Sequence, residues 1–163
     1  MADEMMNYSL DMDDIQSALS DNVFENDTDN YLIFRSDEIY YGVNADDVDE
    51  ILTEIAVTYV PLVPGHVSGV INLRGQIVPI VDLRVLLGRM PGEDCCAIIL
   101  DIEDTRIGIL VDTVDQMVAI SRSSILPVPP QQREQRMISG MCTVPNAAGT
   151  TMMVLDCSQL LQQ

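Results

Sequence analysis

Few side chains in this sequence could carry bond-making chemistry. His66 is the single histidine, the four cysteines are Cys95, Cys96, Cys142 and Cys157, and 26 acids face eight arginines and no lysine. Hydrolysis through a serine would have to use His66 as its base, yet no serine stands in a Gly-x-Ser-x-Gly context. Cysteine proteolysis would need the same histidine, and each cysteine lies in an apolar or strand-like setting that keeps a thiol protonated. The adjacent Cys95-Cys96 pair is a poor disulfide, and no Cys-x-x-Cys spacing points to zinc, so free thiols are expected. Asp46-Asp47, Asp101 with Glu103, and Asp112 with Asp115 are conceivable cation ligands. A hard cation, however, asks for about six to eight converging oxygens, and in a chain this acidic most carboxylates are solvated charge. Phosphate-loop, dinucleotide, HExxH and calcium-loop spacings are absent. A small metal-dependent or cysteine enzyme, using Cys142 or the carboxylates, is therefore the weaker alternative.

Recognition chemistry has a better candidate in Arg74, because a guanidinium can hold carboxylates and carbonyls through several directed N–H groups. The glycine of Arg74-Gly75 permits the positive φ of a tight turn, so Val70 to Leu73 and Gln76 to Val81 should pair as a hairpin with Arg74 at its exposed tip. Pro79 cannot donate to a ladder, which puts the second strand at an edge or beside a bulge. Asp82 then reads as a helix N-cap, Leu83, Leu86 and Leu87 as one apolar face, and Gly88 as the stop.

The rest of the chain reads as further short strands. Tyr31 to Phe34, a turn at Ser36-Asp37-Glu38, and the alternation of Ile39, Tyr41 and Val43 give a hairpin. Val48, Ile51 and Leu52 fall on one side of the next segment and leave Glu50 outward. Val57 to Val60 is read as another strand. Cys95 to Ile102 and Arg106 to Val111 pair across Glu103-Asp104-Thr105. Between Asp112 and Ile120, alternation puts Val114 with Val118 and Ile120, and Met117 on the other face. Pro127, Pro129 and Pro130 forbid a helix, and Gln131 to Arg136 is a polar loop. Ile138 to Val144 and Thr150 to Leu155 make a closing hairpin, and Asp156 caps a short final helix. About ten short strands at spacings of roughly 8 to 12 residues make the fold mainly β, with short helices.

Charge is distributed unevenly. Nine acids and no base lie within residues 1–30, half of the net charge of −18, so residues 1–30 are expected to be an acidic disordered extension and residues 31–163 the folded domain. Ile15, Leu19 and Val23 behind Asp13-Asp14 could form a transient helix that docks on a partner. Such negative charge opposes contact with nucleic acid or anionic membranes. No basic, then apolar, leader opens the chain, and no window approaches the roughly 20 apolar residues of a spanning helix. A cytoplasmic protein without direct membrane insertion is expected.

The run Gly69-Val70-Ile71-Asn72-Leu73-Arg74-Gly75-Gln76-Ile77-Val78-Pro79-Ile80-Val81-Asp82-Leu83-Arg84 closely resembles the signature of the CheW family of bacterial chemotaxis coupling proteins. Tyr31 to Val43 with Val48-Asp49-Glu50-Ile51-Leu52, Gly108 to Val114, Ile125 to Pro129, Ile138-Ser139-Gly140 and Val154-Leu155-Asp156 extend the likeness over residues 31–161. The resemblance implies two small β-barrels of about five strands each on a common core. It also implies no enzymatic activity, cofactor or metal. Its expected partners are the regulatory domain of the histidine kinase CheA and the cytoplasmic tips of chemoreceptors, at membrane-associated arrays. Carried over by position, Arg74 matches a partner-contacting arginine, and Val48, Glu50 and Gly69 match positions tied to coupling. Val114 and Met117 match apolar receptor-groove positions. An adaptor of a related pathway, for pili or development, is the alternative within the same class.

Overall fold

Eleven strands and a few helical turns make up the computed structural model, which describes residues 27–92, 96–129, 137–145, 147 and 149–162. In chain order the strands are β1 (Thr28–Ser36), β2 (Ile39–Asn44), β3 (Val48–Leu52), β4 (Val67–Leu73) and β5 (Gln76–Asp82), followed by the single helical turn α1 (Leu83–Leu86). Then come β6 (Cys96–Ile102), β7 (Thr105–Val111), β8 (Thr113–Ser121), β9 (Leu126–Pro127), β10 (Ile138–Thr143) and β11 (Thr151–Leu155). Most of the acidic stretch, Cys95 and the loop at 131–136 lie outside the described residues, while Thr28 to Asn30 already belong to β1. Three hairpins turn on two successive left-handed residues, Asp37-Glu38, Arg74-Gly75 and Glu103-Asp104. That turn geometry matches the twist of the strands it joins. Asp82 caps α1, its Oδ1 accepting from Arg84 N at 3.0 Å.

The strands form a six-stranded sheet in the order β8-β1-β2-β11-β10-β9 and a five-stranded sheet in the order β3-β6-β7-β5-β4. Between the sheets lies a shared core containing Leu32, Phe34, Ile98, Leu100, Ile107 and Ile109. The opposite faces hold smaller cores of their own: Tyr31, Ile33, Ile120, Met152 and Val154 in the larger sheet, and Ile71, Leu73, Val78, Ile80 and Ile99 in the smaller. Tyr31 to Phe34 and Ala97 to Leu100 are unbroken apolar runs because both faces of these strands are buried.

The expected barrels do not form. Each sheet has a core cluster of its own but stays open, and among the described residues no ladder joins β8 to β9 or β3 to β4. β9 has only two residues and ends in Pro127, which has no N–H to extend a ladder. Beside β4, the segment expected as a strand at Val57 to Val60 contributes one bridge, Thr58 with Val70, before Pro61 and Pro64 interrupt it. Strand numbers also differ from five and five. Pro79 marks neither an edge nor a bulge: β5 runs between β4 and β7 and the proline pairs in register with Val70. It is tolerated because the ladder to β7 starts only at Ile80, so it is asked for no donor on that side.

Two register shifts change which side chains share a face. In β3 the shift lies between Val48, opposite Leu100, and Glu50, opposite Ile99. Val48 and the partly exposed Ile51 therefore face the shared core side, whereas Leu52 shares the inner face of the small sheet with Glu50, against expectation. In β8, Phe34 pairs with Val114 and Ile33 with Gln116, which skips Asp115. The extra residue puts Val114 and Met117 on the same face, away from Val118 and Ile120.

Candidate docking surface

The tip of the β4–β5 hairpin is built locally. Asn72 Oδ1 accepts from Gly75 N at 2.8 Å, and Arg74 and Gly75 take φ values of 52° and 87°. A left-handed conformation is unfavourable for a side chain as large as arginine. Arg74 stays 68% exposed, yet it is not a free charge: Nη1 donates to Glu50 Oε1 at 2.7 Å and Nη2 to Oε2 at 3.0 Å. Glu50 lies on β3 and Arg74 follows β4, so this bidentate pair spans the two unjoined edges of the small sheet. The Glu50 hydrogen bond holds the Arg74 pKa above its ordinary value. The pair engages two of the guanidinium's five N–H donors.

Val48 and Val114 pack at the margin of the shared core, and Met117, opposite Leu32, is 52% exposed on the same face of β8 as Val114. Val114 and Met117 thus share a face of β8, the open edge strand of the larger sheet, and Val48 lies on β3, an edge strand of the smaller. Gly69 is different in kind. It is buried, with φ of 152°, and a Cβ there would fall on the Thr58 carbonyl, so it lets the backbone of the 53–66 segment close onto β4.

Three polar groupings were not legible as such in the sequence. Arg106 bridges Asp49 and Gln76, Arg84 joins Asp112 and Asp37, and Arg122 holds Asp29. Each pairs residues 28 or more apart. The residues considered for catalysis have structural surroundings: the His66 carbonyl accepts from Asp82 N, and burial pushes the Cys157 thiol up to about 12 and raises that of Cys142. Burial also raises the Asp47 carboxyl. Among the described residues, no three His, Cys, Asp or Glu side chains are grouped to hold a metal ion, and no helix is long and apolar enough to cross a membrane.

Residues 30–163 match the family model of the CheW-like domain. The chain is 35% identical over 102 residues to the chemotaxis protein CheW of Klebsiella aerogenes, an alignment covering 61% of either chain. It is 31% identical over 124 residues to CheW of Treponema pallidum, covering 72% of this chain and 69% of that one. The aligned part therefore spans less than two thirds of the Klebsiella protein, and likewise 65% of a probable CheW of Rhizobium etli. The crystal structure of the scaffolding protein TtCheW from Thermoanaerobacter tengcongensis superposes with a TM-score of 0.71 at 26% identity, over 78% of this chain and 88% of that one. With its two open sheets, shared core and Asn-Leu-Arg-Gly hairpin tip, this chain belongs to the CheW-like domain family.

Proposed function

We propose that this protein is a non-enzymatic scaffold that couples a CheA-type histidine kinase to the cytoplasmic tips of chemoreceptors in bacterial chemotaxis signalling. Family membership supports this reading, and one observation carries the assignment of a contact. Arg74 occupies an unfavourable left-handed position at a hairpin tip, exposed, with its guanidinium fixed by Glu50. Such a residue is ordered before binding and keeps N–H donors for a partner's carboxylate or carbonyl groups, which lowers the entropy lost on docking. Val114 and the exposed Met117 on the open edge strand β8 offer a second, apolar feature suited to the side of a helix, and Val48 on β3 offers a further apolar contact. Glu50 acts by presenting Arg74, and Gly69 by supporting β4 beneath it. The chain from Asp27 onward forms the coupling domain, its first strand beginning at Thr28, and the acidic residues before it a solubilising extension, in a cytoplasmic protein recruited to receptor arrays.

A scaffold of this kind must hold both partners at once. Capture of the chain on immobilised receptor cytoplasmic domain should retain added kinase regulatory domain. Retention of one partner only, with the other displaced, would contradict coupling.

A further inference from the structure

Arg106 lies on β7, an interior strand of the small sheet. Its Nε is 3.3 Å from Asp49 Oδ2, and its Nη1 donates to Gln76 Oε1 at 2.8 Å. These contacts fall beside both halves of the docking pair: Asp49 immediately precedes Glu50, and Gln76 follows the Arg74-Gly75 turn. Asp49 is also the residue skipped at the β3 register shift, so no ladder pairing fixes it. β3 itself is an edge strand, paired only with β6. One side chain from the rigid middle of the sheet therefore secures the irregular point of β3 and the first residue of β5 together. Only about a third of the Arg106 and Asp49 side chains is exposed, which shields this contact more than the Arg74–Glu50 pair above it.

We propose that Arg106 is a positioning residue for docking: by holding Asp49 and Gln76 it sets the distance between β3 and the hairpin tip, and so keeps Glu50 in reach of Arg74. This rests on the reading of Arg74 as a partner contact. A guanidinium suits the task because its planar fork serves a carboxylate and an amide oxygen at once, whereas an ammonium presents a single point charge.

The test is side-chain NMR of arginine Nε groups in the full chain, with Arg74→Ala assigning the Arg74 signal, beside titration with the kinase regulatory domain and with receptor cytoplasmic domain. In Arg106→Gln, the heteronuclear NOE of Arg74 Nε should fall. Affinity for the partner that needs Arg74 should drop about fivefold, a modest coupling between neighbouring groups. Asp49→Asn should reproduce both effects from the other end, and Arg106→Gln added to Arg74→Ala should cost no further affinity. Arg106→Lys should restore the affinity only in part. An unchanged Arg74 NOE in Arg106→Gln and Asp49→Asn, or additive losses in the double variant, would overturn the inference. If Arg74→Ala itself leaves both affinities intact, the docking reading fails, while the NOE still decides whether Arg106 positions Arg74.

Discussion

Arg84 Nη2 sits 2.8 and 2.6 Å from the two carboxylate oxygens of Asp112, and Arg84 Nη1 reaches Asp37 Oδ1 at 3.4 Å. One largely buried guanidinium thus ties α1, which follows β5 of the small sheet, to the β1–β2 turn and to the junction where the chain passes from β7 into β8. Arg84→Met keeps the aliphatic stem but leaves Asp112 without this charge partner in a half-buried site. It should lower stability by about 2 kcal/mol, the order of a charged hydrogen bond lost. A urea midpoint equal to that of the parent protein would contradict the clamp.

Gly69→Ala should act through the backbone. Its φ is accessible to glycine, and the added Cβ would meet the Thr58 carbonyl. The expected loss is about 1–3 kcal/mol of stability, typical of one strained residue. Partner binding at low temperature, where the variant is still folded, should fall less than in any Arg74 variant. Full stability with abolished binding would make Gly69 a direct contact instead.

Removing residues 1–26 should leave the melting temperature nearly unaltered, whereas removal of residues 1–30 should lower it. The difference lies in four residues. Ser121 Oγ donates to Asp27 Oδ2 at 2.9 Å, the Arg122 fork holds Asp29 at 3.0 Å, and Thr28 to Asn30 pair with β8. Calorimetry on the two truncations decides it, and equal melting temperatures would show that the root of β1 contributes nothing.

Alkaline pH should weaken the fold before it affects most surface groups. Burial lifts the Cys157 thiol from 9.0 to about 12 and raises the Tyr31 and Tyr41 hydroxyls. The native protein keeps these protons where the unfolded chain has released them, so the unfolded state binds fewer protons and stability falls as pH rises from 9 towards 12. Cys157→Ala should flatten part of that decline. A urea midpoint constant up to a pH of about 10.5 would contradict the assignment.

Much of this fold was legible because its signals are local. The Arg74-Gly75 turn, the Asp37-Glu38 turn and the Asp82 cap each depend on residues a few positions apart, and all three occur where the sequence placed them. Face assignments were less secure, since a single extra residue at Asp49 or Asp115 reverses everything beyond it while the hydrophobic pattern looks the same. Barrel closure is not legible for a related reason: it depends on whether distant edges such as β3 and β4 meet in a ladder, and among the described residues they do not. Glu50 shows the cost most clearly. Expected as an outward charge, it is the partner of Arg74, 24 residues away.

The most direct test of the docking account uses Arg74→Gly. Glycine accepts the left-handed backbone that arginine occupies with strain, so the variant should melt no lower than the parent protein while losing the guanidinium. Co-sedimentation with receptor-containing membranes and kinase, measured on parent and variant together, should show at least one partner released from the Arg74→Gly protein. Unchanged recovery of both partners, with an unchanged melting temperature, would contradict the claim that this hairpin tip docks.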